Sequence, residues 1–214
     1  MPNSALRWTL AEQMVQQQIA SRGITDVIVL RAMSVVPRHE FLLVRNIGQS
    51  YSDVPVPIGF GQTISQPYIV ALMTSLLNLH GSERVLEIGS GSGYQTAILS
   101  QIVKMVYSIE RIPRLLERSR EVLSKLGLHN ASIRLGDNMV EWNEKAPFDR
   151  IIVAAASAEI PPVLIEQLAD EGVLVMPVGG KHLQRLAVVR RSGNEFNIKY
   201  SSYCRFVPIV QHNI

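Results

Sequence analysis

The stretch "RVLEIGSGSGYQTAIL", Arg84 to Leu99, constrains this chain more than any other. An apolar run of strand length meets three glycines, Gly89, Gly91 and Gly93, and a helical pattern through Ala97 and Leu99 follows at once. Glycine between a strand and a helix permits positive φ and close backbone approach, so a ligand can sit over the helix start. A purely structural tight turn is the other reading. A dinucleotide fingerprint would need glycine at position 94, which is Tyr94. A phosphate-cradling P-loop would need Gly-Lys-Ser/Thr, and none follows.

The rest of the chain fits around that unit. "MVYSIE", "ASIRL" and "DRIIVAA" read as strands, and Ile112, Leu115, Leu116, Ser119, Val122, Leu123 and Leu126 recur at helical spacing before Gly127. "PPVLIEQLA" predicts a helix opening on proline and ending at Glu171-Gly172. "GVLVMPV", "QRLAVVRR" and "FNIKYSSYCRFVPIV" are strand-like with no helix between them. Strands alternating with helices predict a mostly parallel sheet covered on both faces, with an antiparallel edge. The expected fold is α/β and Rossmann-like, with an N-terminal helical cap.

In that cap, Leu10, Met14 and Gln17–Ile19 begin one amphipathic stretch, and Asp26 can cap a second through Val27, Leu30 and Met33. "VPVPIGFG" must be extended or turning. Ser65 is a natural N-cap for a helix with Pro67 in its first turn, running to about Leu79. One domain, 1–214, is expected: 1–80 cap and loop, 81–214 core and closing strands.

Charge and composition exclude several functions. The net charge of +3 is mild, and bases alternate with acids in "RIPRLLERSREVLSKLG", so a solvated face is expected and no nucleic-acid groove. The longest apolar run, Ile151 to Ala156, is far below a membrane span. "MPNSALRWTLAEQ" has no long apolar core, and the lone Cys204 cannot form an internal disulfide; a cytoplasmic protein is expected. The five histidines are scattered, and "HEFLL" lacks a second histidine, so no metal is expected.

Two acids, each of which alone could be an exposed strand-end residue, together favour one ligand class. Glu87 precedes the first glycine by two positions, and Glu110 ends the next strand, where a carboxylate can accept both ribose hydroxyls. An acidic rim repels a pyrophosphate but suits a nucleoside with its own positive charge, as in S-adenosylmethionine with its sulfonium and ammonium. Asp137 in "LGDN" is placed to receive an adenine amino group, or is a simple turn aspartate.

"VPRHEF", "YSDVPVPIGFGQTISQPYIVALM", "RVLEIGSGSGYQTAIL", "YSIER", "GDN", "FDRIIVAAASAEIPPVLIEQL" and "RFVPIV" together resemble the protein-L-isoaspartate O-methyltransferase family, in that family's order and across essentially the whole chain. The resemblance implies a protein-repair enzyme of the class I methyltransferase fold. In it the loop Gln62, Thr63, Ile64, Ser65 closes over S-adenosylmethionine, with Ser65 as the active-site serine. Glu87, Gly89, Gly91, Gly93, Glu110, Asp137 and Asn138 would hold the donor, and Ile64, Ser65 and Val207 would meet the damaged peptide. Asn138 stands where the family usually has glycine, and asparagine tolerates the left-handed turn expected there. Ala154 and Ser157 also depart from frequent family residues. A monomer is expected.

The implied chemistry suits a site without base, metal or thiol. The free α-carboxylate of an isoaspartyl residue, with a pKa near 4, is about 99.9% ionised at pH 7. It can take the methyl directly, the product being S-adenosylhomocysteine. A small-molecule O-methyltransferase and a non-enzymatic donor-binding protein share the glycine turn and acids, and remain the alternatives. A nucleic-acid amino methyltransferase would want Asp/Asn-Pro-Pro-Tyr/Phe where this chain has "AAASA", and a cytosine-C5 enzyme a Pro-Cys pair.

Overall fold

The computed structural model describes residues 10–43 and 47–209. Residues 1–9, 44–46 and 210–214 of the expected domain, Val210 and His212 among them, lie outside the described residues.

Residues 10–14 are α-helical and continue through a π-helical turn, Val15–Ile19, into the 3-10 turn Ala20–Arg22, which Gly23 closes in left-handed geometry (φ 92°). Helix α1, Val27–Val35, begins at Asp26, whose carboxylate accepts from the backbone N–H of Ile28 and Val29. Two short 3-10 turns follow, Arg38–Phe41 and Ile47–Tyr51. The "VPVPIGFGQTI" stretch is a small antiparallel hairpin, β1 (Val56–Gly59) with β2 (Gln62–Ile64). Its turn runs through three consecutive positive φ values at Gly59, Phe60 and Gly61. Helix α2, Pro67–Leu76, leads into the main sheet.

That sheet has seven strands: β3 (Arg84–Ile88), β4 (Met105–Glu110), β5 (Ala131–Leu135), β6 (Phe148–Val153), β7 (Leu168–Gly179), β8 (Gln184–Ser192) and β9 (Glu195–Cys204). Their order is β5-β4-β3-β6-β7-β8-β9. The first five are parallel, and β8 and β9 join antiparallel, as the absence of helices between them predicts. Helices α3 (Tyr94–Ser100), α4 (Pro113–Lys125) and α5 (Pro162–Glu166) make the β3–β4, β4–β5 and β6–β7 crossovers, while the β5–β6 connection carries only the 3-10 turn Asn143–Lys145. α4 closes as its pattern predicts: Gly127 has φ 69°, and the Leu128 N–H returns to Leu123 O.

Strand residues alternate between two apolar layers. Val85, Val106, Ile133 and Ile152 pack with α2, α3, α4 and the N-terminal helices. Leu86, Ile109, Ile151 and Val153 pack with Phe148, Leu164 and Leu168 on the other face. At the ends, strand order reverses beside β3, and the chain leaves β3 and β6 on opposite sides. A crevice at that switch point is where an open α/β sheet binds its ligand.

Two expectations need correction. The helix from "PPVLIEQLA" ends at Glu166, because Leu168 is fully buried and pairs with Phe148 in the sheet; burial there outweighs helical propensity. Glu171-Gly172 is therefore a kink inside β7: Glu171 has φ 54°, and a Cβ on Gly172 would stand 2.6 Å from Ala169 O. And Ser65 is not the cap of α2, as described next.

Candidate active site

Position 66, not 65, is the N-cap of α2, and its side chain makes no capping bond. The helix start is satisfied from a distance: Asp53 Oδ1 accepts from Tyr68 N at 2.9 Å, and Oδ2 from Gln66 Nε2 at 3.4 Å. Asp53 is in turn held by Arg22 at 2.6 Å, whose guanidinium lies 3.4 Å from the Tyr68 ring centroid. With the orphan N–H of α2 served by Asp53, the Ser65 hydroxyl has no hydrogen-bond partner among the described residues. It stands at a cavity that Gln62, Thr63, Ile64 and Ser65 line on one side.

The glycine turn lines the other side through Gly89, Ser90 and Gly91. Gly89, Gly91 and Gly93 all have positive φ, and Gly89 N and Ser90 N both donate to Ile109 O, which binds the turn to β4. The absent side chains are used: a Cβ on Gly91 would lie 3.4 Å from Ile58 of the β1–β2 hairpin, and one on Gly93 would lie 3.0 Å from Ser119 Cβ of α4. The hairpin therefore sits directly over the glycine turn. Gly93 does not line the cavity; it allows α3 and α4 to approach.

The four acids and amides predicted for this region divide by place. Glu110 lines the cavity at the end of β4, its carboxylate accepting from Gly91 N (2.7 Å) and Ile112 N (2.9 Å). Asp137 also lines it, just after β5. Glu87 lies beneath the turn, fully buried, with Oε2 accepting from the Thr96 hydroxyl at 2.5 Å and Oε1 without a hydrogen-bond partner among the described residues. Burial pushes its pKa up to about 7, and the bond from Thr96 opposes that shift only in part. Asn138 does not line the cavity. Its Oδ1 accepts from Val140 N at 3.2 Å, and the left-handed residue of this turn is Met139 (φ 68°), so the expected geometry at 138 is displaced by one position.

Val207 reaches the same cavity with Phe206, Pro208 and Ile209. The segment is pinned beside the end of β6: Ala156 N donates to Val207 O, Ile209 N to Ala156 O, and Phe206 N to Gln184 Oε1. Ala154 lines the cavity close behind Gly89, whereas Ser157 is spent on backbone bonds to Pro177 and Gly179. Among the described residues no group of three or more His, Cys, Asp or Glu could hold a metal ion.

Several contributors escape a reading by motif. Glu141 folds its carboxylate over Gly136, where a Cβ would fall 1.9 Å from Oε1, and accepts from Asp137 N and Asn138 N. Asp53 and Tyr94 were also unmarked; the signal for Asp53 was weak, an aspartate 14 residues before the helix start it serves.

A nucleoside donor with a cationic end is compatible with this lining: apolar Ile109 and Met139 line the cavity together with the carboxylates of Glu110 and Asp137, and Glu87 is buried nearby with Oε1 unpartnered among the described residues. Comparison with known proteins agrees. The family model for protein-L-isoaspartate(D-aspartate) O-methyltransferase matches residues 9–214. A protein-L-isoaspartate O-methyltransferase of Syntrophus aciditrophicus is 50% identical over 201 residues, covering 92% of each chain. One of Klebsiella pneumoniae is 52% identical over 194 residues, covering 91% of this chain and 93% of its own. A solved Plasmodium falciparum protein, described as a protein-L-isoaspartate O-methyltransferase in complex with S-adenosyl-L-homocysteine, superposes with a TM-score of 0.82 at 27% identity, covering 94% of this chain and 99% of its own. With a family model spanning nearly its full length, the chain belongs to the protein-L-isoaspartate(D-aspartate) O-methyltransferase family.

Proposed function

We propose that this protein methylates the free α-carboxylate of L-isoaspartyl, and D-aspartyl, residues in damaged proteins and peptides, using S-adenosylmethionine. One observation carries the reading: Thr63–Ser65 and Val207 line a single cavity with Gly89, Gly91, Glu110 and Asp137. A loop suited to an acceptor thus faces a turn suited to a donor. When bound, S-adenosylmethionine supplies a methyl group already activated by its sulfonium.

The protein's own part is then small and specific. Glu110 holds the ribose hydroxyls and Asp137 the adenine amino group, while the Cβ-free turn at Gly89 and Gly91 admits the donor's close approach. Ser65 donates a hydrogen bond to the substrate carboxylate, turning one oxygen toward the methyl without protonating it. Backbone groups of Ile64 and the Val207 segment hold the peptide. The carboxylate oxygen bonds to the methyl carbon as the carbon–sulfur bond breaks, and no proton moves. Alignment and exclusion of water are the catalysis, and effective-molarity arguments value them at up to about 7–11 kcal/mol. Released as an ester, the product loses methanol when the next backbone nitrogen closes a succinimide, and hydrolysis returns part of it to normal aspartate.

On this reading the protein is a monomeric, single methyltransferase domain of the cytoplasm. Its lone, buried Cys204, whose thiol burial pushes up to about 11, suits a reducing compartment, and no helix among the described residues is long and apolar enough to cross a membrane. The test is labelled methyl transfer to paired peptides that differ only in an isoaspartyl or aspartyl link. Transfer to the isoaspartyl form alone is expected. Equal methylation of both, or none with a small-molecule acid accepted instead, contradicts the assignment.

A further inference from the structure

Behind the hairpin lies a cation that the reaction above leaves unused. Arg38 opens the 3-10 turn after Pro37 and has 0% exposure. Its Nε donates to Ser50 O and its Nη2 to Ser65 O, each at 2.8 Å. Its guanidinium carbon stands 4.8 Å from the centroid of the Tyr94 ring. Tyr94 is the first residue of α3, directly after Gly93, and lines the cavity. Among the described residues no carboxylate hydrogen-bonds Arg38, and Nη1 has no partner.

A buried charge with two carbonyls and a ring face in contact, and the Asp53 carboxylate acting only through space, is costly, and an apolar side chain would fill the space more cheaply. What an apolar residue could not do is hold the Ser65 carbonyl. The Ser65–Gln66 peptide is planar, so anchoring its oxygen inward sets ψ of Ser65 and with it the approach of the serine to the cavity. The planar fork also reaches two carbonyls at once, which a lysine ammonium does only as a point charge.

We infer that Arg38 is a positioning residue for the reaction: it ties the Ser65 peptide to the Tyr94 ring, and so fixes the acceptor-side hairpin against the helix behind the donor-side turn. The catalytic consequence rests on the role of Ser65 proposed above; the mechanical tie does not.

The experiment compares Arg38→Lys, Arg38→Gln, Ser65→Ala and the double variant R38K/S65A. For each, kcat and KM are measured with an isoaspartyl peptide, S-adenosylhomocysteine affinity by calorimetry, and amide hydrogen exchange across residues 62–68 and the central strands. Arg38→Lys keeps the cation, so it reports even if Arg38→Gln does not fold. The expected result is a roughly tenfold fall in kcat for Arg38→Lys, with donor affinity within about twofold. Exchange should quicken at 62–68 and not in β3 or β6. In the double variant kcat should lie within about twofold of Ser65→Ala alone, because the arginine acts through the serine. Unchanged exchange at 62–68, unchanged kcat, or losses that multiply in the double variant would each overturn the inference. Full turnover by Ser65→Ala would instead remove the serine from the mechanism and overturn the catalytic part of the inference, while the exchange of Arg38→Lys at 62–68 would still decide for or against the mechanical tie.

Discussion

At the scale of single residues, the site is built by burying groups that water would otherwise hold. Glu87 is the clearest case. Its carboxyl, packed under the glycine turn, keeps its proton to about pH 7, whereas an unfolded chain releases it near 4.5. Between those values the folded state binds more protons than the unfolded, so stability falls as pH rises through that window and levels off above it. The drop amounts to about 3 kcal/mol, at ~1.36 kcal/mol per unit. Urea unfolding of the donor-free protein from pH 4.5 to 8 should show it, and Glu87→Gln should flatten that part of the profile. The same slope in both proteins would remove Glu87 as its source. The acid's position before the glycines was legible in the sequence. Its burial was not, since nothing local distinguishes a carboxylate at a strand's solvent end from one roofed by the following helix through Thr96.

At the scale of elements, strands and helices with strong periodicity formed where their patterns placed them: β3 through β6, α3 and α4. Those that differed were decided by distant partners. Gln62–Ile64 reads as a loop because it is short and glycine-bound, yet it pairs with Val56–Gly59. Ser65 has the right chemistry for an N-cap, but Asp53 takes the work from another segment, and this division leaves the serine hydroxyl for the cavity. Asp53→Ala should therefore destabilise the protein by about 1 kcal/mol, the usual worth of a cap, in spite of lying outside the helix. Arg22→Ala should cost less, its half-exposed ion pair being screened. Chemical denaturation of the two variants measures both. Equal, negligible effects would mean that α2 starts without this cap.

At the scale of the whole molecule, the account depends on topology. Strand order β5-β4-β3-β6 puts the ends of β3, β4 and β5 on one rim, where Gly89 follows β3, Glu110 ends β4 and Asp137 lies just after β5. The hairpin and the Val207 segment close that rim from opposite ends of the chain, 56–64 and 206–209. That alternation of strand and helix was readable at once, and so was the glycine turn with its neighbouring acids, which is a local motif. How the hairpin and the Val207 segment close the cavity was not readable locally, because their residues meet by tertiary contact: Val207 on Ala156, Ile58 over Gly91, Arg38 on Ser65. The central claim is that these parts hold a carboxylate that already carries its negative charge in line with the donor, and do nothing else to it. A crystal structure with S-adenosylhomocysteine and an isoaspartyl peptide tests this most directly. The claim predicts one α-carboxylate oxygen facing the sulfur, with Ser65 Oγ about 2.5–3.0 Å from that carboxylate. A carboxylate turned away from the sulfur, with Ser65 touching neither ligand, would contradict it.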